Sequence, residues 1–184
     1  MSAAGCLRWL LLGALLAAAW TARAAAQSSA LRRFALVVAA NDGGPARGRL
    51  KYAERDARAL FEVLEQLGGV DASDAITLSQ PGVAALSAAF ANLSERVRAQ
   101  AQRGARTELI FYYSGHSDGS ALMLEDERIT YAELRRLLDE LPVDVRIAIL
   151  DSCESGAFTR SKGGVRRAPF LLDGSTQVCS ALAR

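Results

Sequence analysis

The sequence predicts an α/β fold in which a mostly parallel sheet carries helices on both faces. Two observations predict it. Short, continuous apolar runs recur along the chain, the pattern of strands buried on both sides rather than of strands with one wet face. Between them lie longer segments whose apolar residues fall at alternating spacings of three and four, as on one side of a helix. A strand followed by its helix makes a right-handed crossover, and here the unit repeats.

The first run, "RRFALVVAAN", ends at Asn41. After a Gly/Pro loop, "LKYAERDARALFEVLEQLGG" places Leu50, Ala53, Ala57, Leu60, Leu64 and Leu67 on one helical face, with Gly68 and Gly69 as its stop. "DAITLSQ" reads as a second, shorter strand. From Pro81, the positions Val83, Leu86, Phe90, Leu93 and Val97 repeat the helical spacing until Gly104. "TELIFYY" is the third strand. "GSALMLEDERI" reads as a small hairpin or an excursion from the sheet, after which Thr130 and Glu133 form a capping box that opens a helix carrying Leu134, Leu137, Leu138 and Leu141. "VRIAIL" is the fourth strand. Beyond Gly156 the pattern stops: "AFTRSKGGVRRAP" is polar and basic, and "FLLDGSTQV" holds at most one more short strand.

With 184 residues, 51% hydrophobic and 23% charged, the chain is of a size and composition for one globular domain. Its first 26 residues differ from the rest. Arg8 precedes an apolar run from Leu10 to Trp20, followed by small residues spaced Ala-x-Ala, which predicts a secretory signal peptide cleaved after Ala24 or Ala26. That run is shorter than the roughly 18 residues a membrane-spanning helix needs, so the expected product is secreted or periplasmic, with no membrane attachment. Of the 22 Lys and Arg, cleavage removes Arg8 and Arg23, leaving 20 against 20 Asp and Glu. A neutral chain without a basic stripe gives no argument for nucleic acid. Cys153 and Cys179 remain, and a disulfide between them is the plain reading in an oxidising compartment.

Two turns argue for another use of Cys153. "IFYYSGHSDG" carries the only histidine, His116, directly after the third strand, and "IAILDSCESG" carries Cys153 directly after the fourth. If those strands are neighbours, the two side chains share one pocket at the carboxyl rim of the sheet, where open α/β sheets bind ligands. A thiol attacks a carbonyl as thiolate. A nearby imidazole can take the thiol's proton and later protonate the leaving amine. The small residues Ser114, Gly115, Ser152, Ser155 and Gly156 are expected to keep both turns open to substrate, and backbone N–H groups there can hold an oxyanion. One His and two Cys do not supply a metal's first coordination sphere, so no metal and no cofactor are expected. "NDGGPARG" lacks the Gly-Lys-Ser/Thr ending of a phosphate-binding loop.

"YYSGHSDG" followed by "ILDSCESG", with "LKYAERDA" upstream, resembles the caspase and metacaspase superfamily, especially its bacterial caspase-like members, over roughly Arg33 to Val178. The order of histidine before cysteine is opposite to that of papain-like enzymes. The resemblance implies a three-layer sandwich lacking most of the small-subunit strands. The implied domains are a signal peptide at 1–26, a catalytic large-subunit domain at 32–159, and at 160–184 a basic processing-type loop with the start of the small-subunit region. It implies His116 as general base and acid, Cys153 as nucleophile, and the N–H groups of Ser117 and Cys153 as oxyanion hole. Ser117 stands where many members have glycine, which adds a side chain near the oxyanion. Asp151 would line the pocket for the residue before the cleaved bond and favour Arg or Lys. Asp56 is a second candidate for that pocket, its alternative being a solvated charge. Arg160, Lys162, Arg166 and Arg167 would be cleavable by such a site, self-processing being common in this loop, or else they keep a surface loop soluble. The expected activity is thus a cysteine endopeptidase acting on proteins or peptides. The alternative is an inactive caspase-like interaction module, and pairing of copies through an open sheet edge is a further expectation. The family includes calcium-activated members, but no acidic cluster in this chain marks an ion site.

Overall fold

The computed structural model describes residues 30–153, Phe158, and the backbone of 176–180. The expected leader at 1–26 and the basic residues Arg160, Lys162, Arg166 and Arg167 lie outside the described residues. In chain order the elements are β1 (Leu31–Ala40), α1 (Ala53–Gln66), β2 (Val70–Ser79), α2 (Val83–Ala101), β3 (Arg106–Gly115), β4 (Ala121–Leu124), β5 (Glu127–Thr130), α3 (Tyr131–Glu140), β6 (Val145–Asp151) and β7 (Thr176–Ser180). Five strands form one sheet in the order β2-β1-β3-β6-β7, while β4 and β5 form a separate hairpin. Every pairing within the five-stranded sheet is parallel.

The unbroken apolar run of β1 is explained by its central place. Phe34, Leu36, Val38 and Ala40 enter one core with Leu86, Phe90, Leu93 and Val97 of α2 and Leu134 and Leu138 of α3. Ala35, Val37 and Ala39, on the other face, pack with Ala57 and Leu64 of α1 and with Ile110 and Tyr112 of β3. Alternate residues of one strand thus serve two cores, so no polar position interrupts the run. Phe90 stacks on Phe111 at 5.8 Å between ring centres, fixing α2 against β3.

From β1 the chain steps outward to β2, then returns past β1 to β3, with α1 and α2 on opposite faces. The strand order therefore reverses between β1 and β3, the kind of position where a crevice opens at the carboxyl rim.

The register of β3 against β6 is held at its start by Asp144. Its carboxylate accepts from the Thr107 N–H at 2.6 Å and from the Thr107 hydroxyl at 3.2 Å, and the Asp144 N–H donates back to the Thr107 carbonyl at 3.0 Å. Arg146 of β6 donates to the carbonyls of Leu138, Asp139 and Leu141, satisfying the orphan groups at the end of α3.

Three boundaries differ from the expectation. β2 is as long as β1, because its first half, Asp71–Ser73, is exposed and polar, and a register irregularity shifts the pairing from Arg33↔Val70 to Ala35↔Ala75. An edge strand tolerates polar residues that carry no apolar signal. Helix α1 begins at Ala53, not Leu50, and Leu67 is 84% exposed. The Leu50 N–H instead bonds the Asn41 carbonyl at 2.7 Å and closes the loop after β1. The final strand runs over Thr176–Ser180 and pairs along β6, so the edge of β6 is not bare.

The capping box forms as expected, with Thr130 accepting from the Glu133 N–H at 3.2 Å and Glu133 accepting from the Thr130 N–H at 3.0 Å. Thr130→Ala should destabilise the chain by about 1 kcal/mol, read as a fall in melting temperature of about 2–4 °C. An unchanged melt would mean that α3 is held by packing alone.

Candidate active site

The last paired residues of β3 and β6 are Ser114 and Asp151. His116 and Cys153 each follow two residues later, at equal offset from that pair. Neighbouring parallel strands lie about 4.8 Å apart, so equal offsets bring the two turns side by side at the same rim. A hydrogen bond joins them, the Ser117 hydroxyl donating to the Cys153 carbonyl oxygen. Cys153 is a free, exposed thiol. The disulfide reading is therefore corrected: Cys179 sits on β7 opposite Ile149, four residues before Cys153.

The loop after β1 completes the histidine's surroundings, because the strand order reverses there and β1 and β3 deliver their loops to one crevice. The Gly48 carbonyl lies 2.8 Å from His116 Nε2. A carbonyl can only accept, so Nε2 carries the proton and, in the neutral ring, Nδ1 keeps its lone pair. Gly43 packs against the same ring; a Cβ there would fall 2.5 Å from His116 Cδ2 and 2.9 Å from its Cβ. Below the turn, the buried Tyr113 hydroxyl lies 2.7 Å from the carbonyl oxygens of both His116 and Met123 and donates between them. Burial pushes its pKa up, which keeps it a neutral donor. That hydroxyl also explains Gly115, where a Cβ would collide with it and lie 2.9 Å from the Ala40 carbonyl.

Ser117 pairs with Leu122 of the hairpin in an isolated antiparallel bridge. The flanking bonds run from Met123 N–H to His116 O at 2.9 Å and from Asp118 N–H to Ala121 O at 3.2 Å. Ser117 itself is thus the non-hydrogen-bonded member, and its N–H points away from the hairpin. Its side chain, expected beside an oxyanion, is buried and turned to Cys153. Asp118 holds the far end of the turn by accepting from the Ser120 hydroxyl at 2.7 Å and the N–H groups of Ser120 and Ala121 at 3.0 and 2.9 Å. The Ser120 hydroxyl, with those N–H groups and the Arg128 charge, holds the Asp118 carboxyl below the usual range.

Asp151, half-buried, accepts from the Tyr112 hydroxyl at 3.2 Å. Burial pushes Tyr112 up to about 12; the Ser114 hydroxyl opposes this, and the negative charges of Asp151 and Asp56 add to it. Of the two carboxylates singled out in the sequence, Asp151 is the one bonded to this phenol. Asp56 also meets Arg55 at 3.3 Å in an exposed ion pair, which contributes little to stability. Tyr112 was read only as a strand residue, and the signal that finds it is parity: it lies an even number of residues before His116, on the same side of β3 as Ser114.

The three small residues among those described, Ser114, Gly115 and Ser152, do not open the turns. Ser114 and Ser152 are buried, and the small size of Gly115 makes room for neighbouring groups; Ser155 and Gly156 lie outside the described residues. Phe158, five residues after the thiol, is buried against Tyr131 at 5.4 Å, edge to face, with the Arg135 guanidinium 4.7 Å over its ring. A cavity of about 340 Å³ lies elsewhere, between α1 and β2, lined by Val37, Glu54, Phe61 and Thr77 and by neither His116 nor Cys153. Among the described residues, no group of three His, Cys, Asp or Glu side chains converges as a metal site.

A parallel α/β sheet that sets a histidine turn beside a cysteine turn, in that chain order, has the architecture of one class of cysteine peptidase. Residues 32–178 match the model of the caspase domain, a peptidase family, and the chain belongs to that family. Comparison with curated proteins returned no match.

The fit of Gly43 against the imidazole gives a direct check. Gly43→Ala should displace the ring, shifting the single imidazole resonance in an NMR spectrum while the melt stays cooperative. A resonance that does not move would show that the loop after β1 yields instead of the histidine.

Proposed function

We propose that the chain is a cysteine endopeptidase in which His116 and Cys153 form the catalytic dyad and cleavage follows Arg or Lys. The observation that carries this is the equal offset of the two residues from the last β3–β6 pair, with the Ser117 hydroxyl tying one turn to the other. With Nε2–H engaged by Gly48, His116 Nδ1 takes the proton of the Cys153 thiol. The thiolate adds to the scissile carbonyl carbon, and the N–H groups of Ser117 and Cys153 receive the oxyanion. As the C–N bond breaks, His116 returns the proton to the leaving amine. Water, deprotonated by the same imidazole, then hydrolyses the thioester and frees the thiol.

Asp151 and Asp56 supply the preference, since two carboxylates near one phenol favour a cationic substrate side chain and oppose an acidic one. The substrates are proteins or peptides reached by export on the leader of residues 1–26, and self-cleavage within the basic segment at Arg160, Lys162, Arg166 or Arg167 belongs to the same proposal. Pairing of copies through an edge strand of the sheet is a further part of it.

The test is hydrolysis of a fluorogenic peptide with Arg before the reporter, beside the same peptide with Asp. The chain should cleave the first, Cys153→Ala should abolish the signal, and His116→Ala should lower it by about 10²-fold or more. Equal signals from the parent chain and Cys153→Ala would remove the enzyme reading and leave an interaction module.

A further inference from the structure

We infer that Tyr112 is a positioning residue that sets the Asp151 carboxylate for a guanidinium, making the pocket selective for Arg over Lys; this rests on the proposed cationic-substrate reading of the site. Three observations lead to it. Tyr112 is buried at 6% exposure on β3, a central strand, packed with Ala35, Val37, Ala39 and Ile110, so its hydroxyl is fixed in place by the core. That hydroxyl donates to Asp151 Oδ2 at 3.2 Å. Asp151 is paired across the sheet with Ser114, two residues after Tyr112 and so on the same face of β3, which sets its carboxylate within reach of that hydroxyl.

The chemistry follows from the geometry of a carboxylate. An unrestrained carboxylate rotates about its terminal torsion, where the preference is broad. The Tyr112 bond removes much of that freedom by holding Oδ2, and it leaves Oδ1 and the second lone pair of Oδ2 for a ligand. An ammonium is a point charge with rotatable donors and pairs with a carboxylate at almost any angle. A guanidinium is a planar fork and gains most when the acceptors lie in its plane. An Asp151 carboxylate held in orientation therefore selects for the fork.

Tyr112→Phe removes one oxygen and keeps the ring in the core. The experiment titrates two peptides, identical except for Arg or Lys before the scissile bond, into the Cys153→Ala chain and into Cys153→Ala/Tyr112→Phe. The parent should bind the Arg peptide more tightly. Tyr112→Phe should weaken the Arg peptide about 10-fold, in keeping with loss of a hydrogen bond to a charged group, and the Lys peptide by less, so that the ratio contracts. A loss of packing alone would weaken both equally, and melting curves of both chains check the fold. An unchanged ratio overturns the role of Tyr112, as does failure of the parent to bind either peptide. Hydrolysis by the unsubstituted chain is read separately: an active enzyme with an unchanged ratio removes only the tyrosine's role, and an inactive chain whose ratio contracts removes only catalysis.

Discussion

The pairing of β3 with β6 is the constraint on which the site depends. In a sheet, a slip of one residue sends every side chain to the opposite face. Here such a slip would part His116 from Cys153 and remove Asp151 from Tyr112. The register is fixed at both ends by polar contacts that apolar packing could not supply. At the start, Asp144 closes on Thr107 through its carboxylate and its own N–H. At the finish, the Ser117 hydroxyl reaches the Cys153 carbonyl. Between them lie seven successive paired positions, from Glu108↔Val145 to Ser114↔Asp151.

Two adjacent tyrosines show how the sheet divides labour between its faces. Tyr113 points into the core under α2 and α3 and uses its hydroxyl to hold the backbone of the histidine turn. Tyr112 points to the α1 face and turns its hydroxyl to the carboxylate. One side chain holds the histidine turn from beneath, and the other holds the carboxylate two residues before Cys153. The loop after β1 adds the third support through Gly43 and Gly48, and it can do so because the strand order reverses between β1 and β3.

Much of this was legible in the sequence, and what was not has definite causes. Continuous apolar runs revealed the buried strands, and the two polar turns after "TELIFYY" and "VRIAIL" pointed to neighbouring strand ends, which the β3–β6 pairing bears out. Asp151 was named through the family resemblance alone, and the structure adds that its carboxylate accepts from the Tyr112 hydroxyl. Tyr112 was not legible: where both faces of a strand are buried, a run such as Phe111, Tyr112, Tyr113 does not declare which residue faces which way. The Gly48 carbonyl was hidden because a backbone group leaves no side-chain pattern, and its position depends on the conformation of a loop. Ser117 was seen as an intrusion near an oxyanion, since only the structure shows its hydroxyl turned towards Cys153. Leu67 misled because a helical spacing continues in the sequence after the helix has ended.

The central claim is that the register of β3 and β6 delivers residues 116 and 153 to one hollow, and cross-linking tests it most directly. In a chain with Cys6 and Cys179 replaced by serine, His116→Cys leaves two thiols, at 116 and 153. A disulfide needs Cα atoms roughly 4.4–6.8 Å apart, the separation expected of equivalent positions on neighbouring strands. Mild oxidation should join the two within one chain, seen by mass spectrometry as a linked peptide pair that reductant separates. Two thiols that stay free, or link only between separate chains, would contradict the account.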